Sequence, residues 1–349
     1  MKKTLTTGAA LLLTTSAAYA GGLDRSGQGI GILFEQGRTI ELSYGTVIPT
    51  VSGTVGAGTV SSGNVAPNYG NVSLGFKTDI DDKVSVAVIF DQPFGADVDY
   101  NDTDAGYPIA GTNAQVESSA ITIVGQYNIN ENVSIHFGPR YLSAKGNYTA
   151  VVGGVPQYSS TYSSGSGTGF IAGAAYERSD IALRVALTYS SAIALDLDGT
   201  VGDLNAEMPQ SVNLDFQTGI AANTLLFGSV RWAEWTEAKI DDTLAGPLVT
   251  YDNDVVTYAV GVGRQFTDQI SAALSVGYET ETGDAASNLS PTDGNISISV
   301  GGTYNMGNGL EVTGGVRYVK LGDATTETIG AEFADNSAIG VGLKVGYSF

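Results

Sequence analysis

The chain has no cysteine, so neither a disulfide framework nor a thiolate metal site can be built from it. It has one histidine, His136, and any Ser-His-Asp arrangement would have to use that residue. No group of histidines or carboxylates has the spacing of metal ligands, so no metal and no cofactor are expected. Long apolar runs are missing too: nowhere do about 18 apolar residues follow one another, which excludes a helical membrane span. Basic residues are scarce, 16 against 36 acidic ones. A surface of that sign repels nucleic acid, which is not expected as a partner. What is abundant is glycine, 47 of 349 residues, together with 18 tyrosines, a composition that favours β-structure with many turns.

The N-terminus, MKKTLTTGAALLLTTSAAYA, has two lysines, an apolar stretch through Leu13 and a small-x-small end at Ala18-Tyr19-Ala20. This is the layout of a secretory signal peptide, residues 1–20, cleaved after Ala20. Without it, 14 basic residues face 36 acidic ones, a formal charge of −22.

From Arg38 onward the dominant period is two. Ile181, Leu183, Val185, Leu187 and Tyr189 share one strand face, and Ala182, Arg184, Ala186 and Thr188 share the other. The pattern recurs at Ile270–Tyr278, at Ile296–Val300 and at Ile339–Phe349. The second face carries Gly, Ser, Thr and charge, on strands long enough to cross a bilayer at about 9 to 11 residues. Tyr127, Tyr141, Tyr176, Tyr189, Tyr278, Tyr304, Tyr318 and Tyr347 end the apolar faces and are candidates for an aromatic girdle. Core tyrosines of a soluble sandwich are the plainer alternative.

Six short polar turns, near residues 81, 131, 179, 222, 267 and 308, alternate with seven long loops, near 54–68, 93–114, 143–166, 195–207, 240–252, 281–293 and 321–335. Together they join 14 strands. The expected fold is therefore all-β: a 14-stranded antiparallel transmembrane β-barrel over residues 38–349, in the outer membrane of a Gram-negative bacterium, with short turns in the periplasm. Closure removes every sheet edge. No feature calls for an oligomer, so a monomer is expected.

One stretch resists this pattern. Residues 84–92 are the third strand, yet VAVIFDQPFGADVDY meets Pro93 and Gly95 where pairing ought to continue. Proline gives no N–H to a sheet, and inside a bilayer no water replaces the lost partner. Either Pro93 ends the strand where an outer loop begins, or the wall is locally open.

The segments GLDRSGQGIGILFEQG, FDQPFGADVDY and AEMPQSVNLDFQTGI followed by SVRWAEWTEAKI, with Met208-Pro209, Trp232 and Trp235 in order, resemble the FadL/TodX family of outer-membrane transport proteins over most of the mature chain. The resemblance implies a 14-stranded barrel that moves long-chain fatty acids or other hydrophobic molecules by passive diffusion, with an N-terminal hatch in the lumen. It also implies lateral exit to the membrane at a kinked third strand, with Gln92, Pro93, Phe94 and Gly95 as the gate. Residues 21–37 would be the hatch, through the apolar Ile30, Ile32, Leu33 and Phe34, although the asparagine-proline-alanine signature usual in that family's hatch is absent. A loose periplasmic tail is the other reading of that segment. Val151, Val152 and Val155 in one loop and Leu195 and Leu197 in another are placed where the family has an apolar docking groove.

Alternation also points Lys77, Arg140, Arg184, Arg231, Arg317 and Lys344 into the lumen. They are candidates for binding a carboxylate, or for a salt-bridge network that braces the wall. The terminal Phe349 resembles the signal read by the outer-membrane insertion machinery. His136 faces inward as well, as a lumenal hydrogen-bonding residue rather than a catalytic one, and no enzymatic activity is expected. A water-filled diffusion porin, or a purely structural barrel, is the alternative function.

Overall fold

The computed structural model describes residues 23–283 and 285–349. The signal-peptide segment 1–20 and the first two residues of the expected hatch lie outside the described residues. Fourteen wall strands run in order: β1 Thr39–Thr50, β2 Tyr69–Asp79, β3 in two pieces (Val84–Asp91 and Gly95–Asp99), β4 Asn113–Asn128, β5 Val133–Val152, β6 Val155–Arg178 and β7 Leu183–Ser190. They continue with β8 Ser211–Ala221, β9 Thr224–Ala233, β10 Val255–Gln265, β11 Ile270–Glu279, β12 Asn295–Asn305, β13 Leu310–Leu321 and β14 Ser337–Ser348. Each pairs antiparallel with its neighbours, and β14 pairs with both β13 and β1, from Thr39 opposite Ser348 to Thr50 opposite Ser337. The wall is thus a closed barrel, and the expected fold class holds.

The two faces separate as the alternation requires. Leu274, Val276, Ile298, Val300, Val341 and Leu343 point outward and are about half exposed in the isolated chain, while Ser275, Ser297, Ser299 and Lys344 are buried inside. Water would oppose so apolar an exterior, and a bilayer favours it. The tyrosines fall into two belts. Tyr127, Tyr176, Tyr304 and Tyr347 sit beside the short turns, and Tyr141, Tyr189, Tyr278 and Tyr318 lie toward the long-loop end. On β13 the residues level with the two belts, Leu310 opposite Tyr347 and Tyr318, are eight apart, about 27 Å of strand.

The long-loop end is more ordered than its composition implied. The expected loop 143–166 is instead a two-stranded ribbon in which β5 and β6 run on to a pair between Val152 and Val155. Its turn is Gly153-Gly154, at φ 58 and 78, the backbone that a two-residue hairpin of the right twist needs. Residues Ile193–Leu197, Leu204–Met208, Lys239–Asp242 and Gly246–Val249 form a small four-stranded sheet, and Gly53–Val55, Val60–Ser61, Ala324–Thr325 and Glu332–Phe333 form another. Alternation within these short strands turns Ile193, Leu195, Leu197, Leu204 and Ile240 into one cluster with Trp235, and Phe333 into another with Tyr100, which Val51 and Val65 join from beside the strands. Two apolar layers therefore form at the outer end.

Asp242 ties the first layer together. Its Oδ2 accepts hydrogen bonds from the Tyr158 and Tyr162 hydroxyls at 2.6 Å each, and its Oδ1 accepts from the N–H groups of Leu244 and Ala245 at 2.8 and 2.7 Å. Asp242→Ala is expected to weaken this cap by about 2 to 4 kcal/mol, read as faster hydrogen exchange over residues 193–249. Burial works to raise the Asp242 pKa, but the two tyrosines and the two backbone donors outweigh it and hold the carboxyl below its usual range. A depressed folded value makes the contribution complete above the ordinary aspartate value of about 3.9 and removes it as the pH falls further, through the folded value. Protection factors in the cap, taken against the intrinsic exchange rate at each pH, should therefore fall in acid below about pH 4 in the parent protein, and not in Asp242→Ala.

Candidate functional site

Along its first piece β3 is paired on both sides, with β2 from Asp79–Ser85 to Leu74–Phe90 and with β4 from Tyr127–Val84 to Ala120–Asp91. Beyond Asp91 the two sides differ. The second piece, Gly95–Asp99, pairs with Glu117–Asn113 of β4 but with no part of β2. On β2 the residues Tyr69–Ser73 keep their partners on β1 and, among the described residues, have no strand on the other edge. Asp91 faces Ala120 and Gly95 faces Glu117, so β3 takes four steps where β4 takes three. One extra residue has been inserted, and Pro93, with no N–H to offer, lies within that bulge. The strand resumes after it. Pro93 therefore interrupts β3 and does not end it.

The opening is filled from inside. The N–H of Arg25 donates to the Pro93 carbonyl at 2.7 Å and the N–H of Gly95 to the Leu23 carbonyl at 2.9 Å, so Leu23–Arg25 lies along the edge of β3 as a short antiparallel partner. Toward β2, Gln92 Oε1 accepts from the Val72 N–H at 2.9 Å, and Asn71 Nδ2 donates to the Arg25 carbonyl at 3.1 Å. Phe94 turns inward, buried, with its ring edge-on to Trp235 at 6.3 Å.

The segment that follows crosses the lumen. Arg231 on β9 grips Asp24 with both arms of its fork, Nε to Oδ2 at 3.0 Å and Nη2 to Oδ1 at 3.2 Å, while Nη1 donates to Ser211 and Asn213 at 2.8 Å each. Both charges of this pair are buried. On the opposite wall Ser26 Oγ donates to Asp91 Oδ2 at 2.7 Å, and Arg140 on β5 donates to Gln28 and to Thr122. Ile30, just before a single 3-10 turn over Gly31–Phe34, and Ile32 and Leu33 on it are buried against Ala87, Ile89, Val124 and Ile171. Phe34 packs on their margin between the Arg184 guanidinium, 4.7 Å from its ring, and the edge of His136 at 6.2 Å. His136 is buried and bonded to Thr188 at 3.0 Å. Residues 23–37 are thus fastened to wall strands on both sides of the lumen.

The six inward cations do not converge on one point. Lys77 pairs with Asp79, Lys344 with Glu41 at 3.0 Å and Arg231 with Asp24. Arg184 donates to Gln217 at 3.1 Å and Arg317 to Ser297 at 2.8 Å. Arg231 and Arg317 line one cavity, with Asp215 and Asn213. Every one of the six has a protein partner, the arrangement that bracing the wall requires. The five apolar loop residues do not form one surface. Val152 and Val155 are exposed at the tip of the β5–β6 ribbon, Val151 is buried over Thr112, and strand alternation turns Leu195 and Leu197 into the apolar layer under the outer sheet.

Sequence reasoning missed Leu23, Asp24 and Arg25. The signal was present in the charged pair beside Leu23 in GLDRSG, which lies outside the wall strands whose alternation singles out the six inward cations. Around these residues lie two cavities. One, toward the outer end, is lined by Leu23, Arg25, Val51, Val65, Pro67 and Leu289. The other borders the unpaired edge of β2 and is lined by Ser26, Ile32, Val72, Leu74, Ile89 and Asp91.

Comparison with known proteins gave one family and many similar structures. The model of a family described as outer membrane protein transport protein (OMPP1/FadL/TodX) matches residues 36–349. A FadL homologue of Pseudomonas aeruginosa superposes with a TM-score of 0.76 at 16% identity, over 98% of each chain. The toluene transporter TodX of P. putida gives 0.67 at 12% identity, over 90% of this chain and 91% of its own, and the toluene transporter TbuX of Ralstonia pickettii gives 0.64 at 11%, over 98% and 94%. No curated protein sequence matched.

Proposed function

Because the chain belongs to the family of outer-membrane transport proteins that includes FadL and TodX, we propose that it moves hydrophobic molecules passively through the outer membrane and releases them sideways at the break in β3. The single observation that carries this reading is the one-sided loss of pairing between β2 and β3, bridged by Leu23–Arg25 and the Gln92 and Asn71 side chains in place of a strand. A wall meant only to seal has no reason to leave backbone groups of Tyr69–Ser73 without a strand partner in a bilayer. A solute leaving between β2 and β3 would go from lumen to lipid without meeting the water of the periplasm. Residues 23–37 act as the hatch in this scheme, and the barrel comprises residues 38–349. A chain of binding sites and thermal displacement of the hatch suffice for passage, so no energy source and no cofactor enter. Fatty acids are the default cargo and monoaromatic hydrocarbons the second.

Purified protein in liposomes tests this directly. Hydrophobic probes such as oleate or toluene should reach the lipid phase faster than in protein-free vesicles, while sugar-driven swelling and ion conductance stay near the protein-free level. Free sugar passage would instead establish a water-filled porin and end the proposal.

A further inference from the structure

The geometry points to Arg25, on the hatch itself, as the residue that reads the headgroup of a carboxylate-bearing amphiphile, so that the same residue that fastens the break in β3 distinguishes anionic from neutral cargo. This inference rests on the proposed function and deepens it. All six cations of the wall are engaged by protein hydrogen bonds or ion pairs. Arg25 differs. Its backbone N–H bonds Pro93, but among the described residues its guanidinium makes no hydrogen bond and no ion pair; it lies 4.1 Å from the face of Tyr69 and against the backbone of Gly95. The nearest negative charges, Asp97 and Glu117, are felt electrostatically and are not ion-pair partners.

Its surroundings fit an amphiphile. Arg25 lines the outer cavity, whose walls include the apolar Leu23, Val51, Val65, Pro67 and Leu289, with Asp24, Tyr69, Asp97, Ser290 and Thr292 as its other polar side chains; of the two carboxylates, Asp24 is already held by Arg231. A partly buried cation with an empty donor fork needs an anion, because burying charge without a partner is costly. The planar fork matches a carboxylate bidentately, and the apolar walls suit the tail attached to it. Gly95 explains how the fork reaches this place: a Cβ there would sit 2.7 Å from Arg25 Cζ, so only glycine lets the guanidinium lie against the broken strand. An anion captured at Arg25 is therefore held one residue from Asp24, whose pairing with Phe94 closes the break.

The test uses full-length mature protein in nanodiscs, with oleate and oleyl alcohol as probes of equal tail length. The parent protein should bind oleate more tightly than oleyl alcohol. Its oleate affinity should fall as the pH drops through the ligand's own carboxyl titration, because the arginine stays charged throughout. Arg25→Gln should weaken oleate by about tenfold or more, leave oleyl alcohol within about twofold, and abolish that pH dependence. Arg25→Lys should keep the preference for oleate in reduced form. Equal losses for both probes would reduce Arg25 to a fastener of the hatch and overturn the inference, as would an unchanged oleate affinity. If Arg25→Gln did not fold, as judged by heat-modifiable migration, the Arg25→Lys ratio and the parent pH profile would still decide. A parent protein that bound neither probe would remove the proposed function, and this inference with it.

Discussion

Asp24→Ala should convert a closed barrel into a leaky one. The Asp24–Arg231 pair is buried on both sides, and removing the carboxylate strands a guanidinium that retains only Ser211 and Asn213. Breaking a buried pair in this way costs about 3 to 5 kcal/mol. The cost falls on the closed arrangement alone, because in the displaced one the arginine meets water. At about 1.4 kcal/mol per tenfold, the displaced population should rise roughly a hundredfold or more. Planar-bilayer recordings would detect this as frequent openings in Asp24→Ala that the parent lacks, and as conductance to small ions. Barrel assembly should be unaffected, since every wall pairing lies elsewhere. A silent Asp24→Ala barrel would mean that residues 26–34 hold the lumen shut unaided.

The opposite change, closing the wall, should abolish delivery. Deleting Pro93 removes the one extra residue of the bulge. Gly95 then still faces Glu117, Phe94 faces Ser118 on the inner side, and an N–H returns where proline had none. β3 could pair with Ser73 through Tyr69 of β2 and displace Leu23–Arg25. Several new backbone bonds at about 0.5 to 1.5 kcal/mol each should raise stability by about 2 kcal/mol or more. Uptake of a hydrophobic probe by cells should fall to that of a strain lacking the protein, whereas the unfolding midpoint should rise. Unchanged uptake would rule out exit at this place while leaving the rest of the transport proposal intact.

These two variants concern features that differ in how openly the sequence displayed them. The wall was legible because lipid on one side and a polar lumen on the other impose a strict period of two, and Ile270–Tyr278 or Ile339–Tyr347 can satisfy it in only one way. The interruption was legible for the converse reason, since Pro93 violates a rule that a bilayer makes severe. Three things were hidden. The pairing of Asp24 with Arg231 joins residues 207 apart and leaves no local trace. The outer sheets looked like loops because their strands are only two to five residues long, yet Leu195 and Leu197 find a buried face once Ile193–Leu197 pairs with Leu204–Met208. The free fork of Arg25 was hidden because partnership is a property of space, and a one-letter code records only that a charge exists.

The way the barrel ends meet also limits how far residues 23–37 could move if displaced. Phe349 donates its N–H to the Arg38 carbonyl at 2.9 Å, so the chain is stitched to its own last residue just where the inner segment gives way to β1. From that anchor Leu23 is 15 residues away, a leash of about 50 Å at full stretch. A dislodged segment therefore remains beside its seat at an effective concentration of about millimolar. Recapture is unimolecular, and the cell envelope would be exposed to each opening only for the time a short peptide takes to diffuse back.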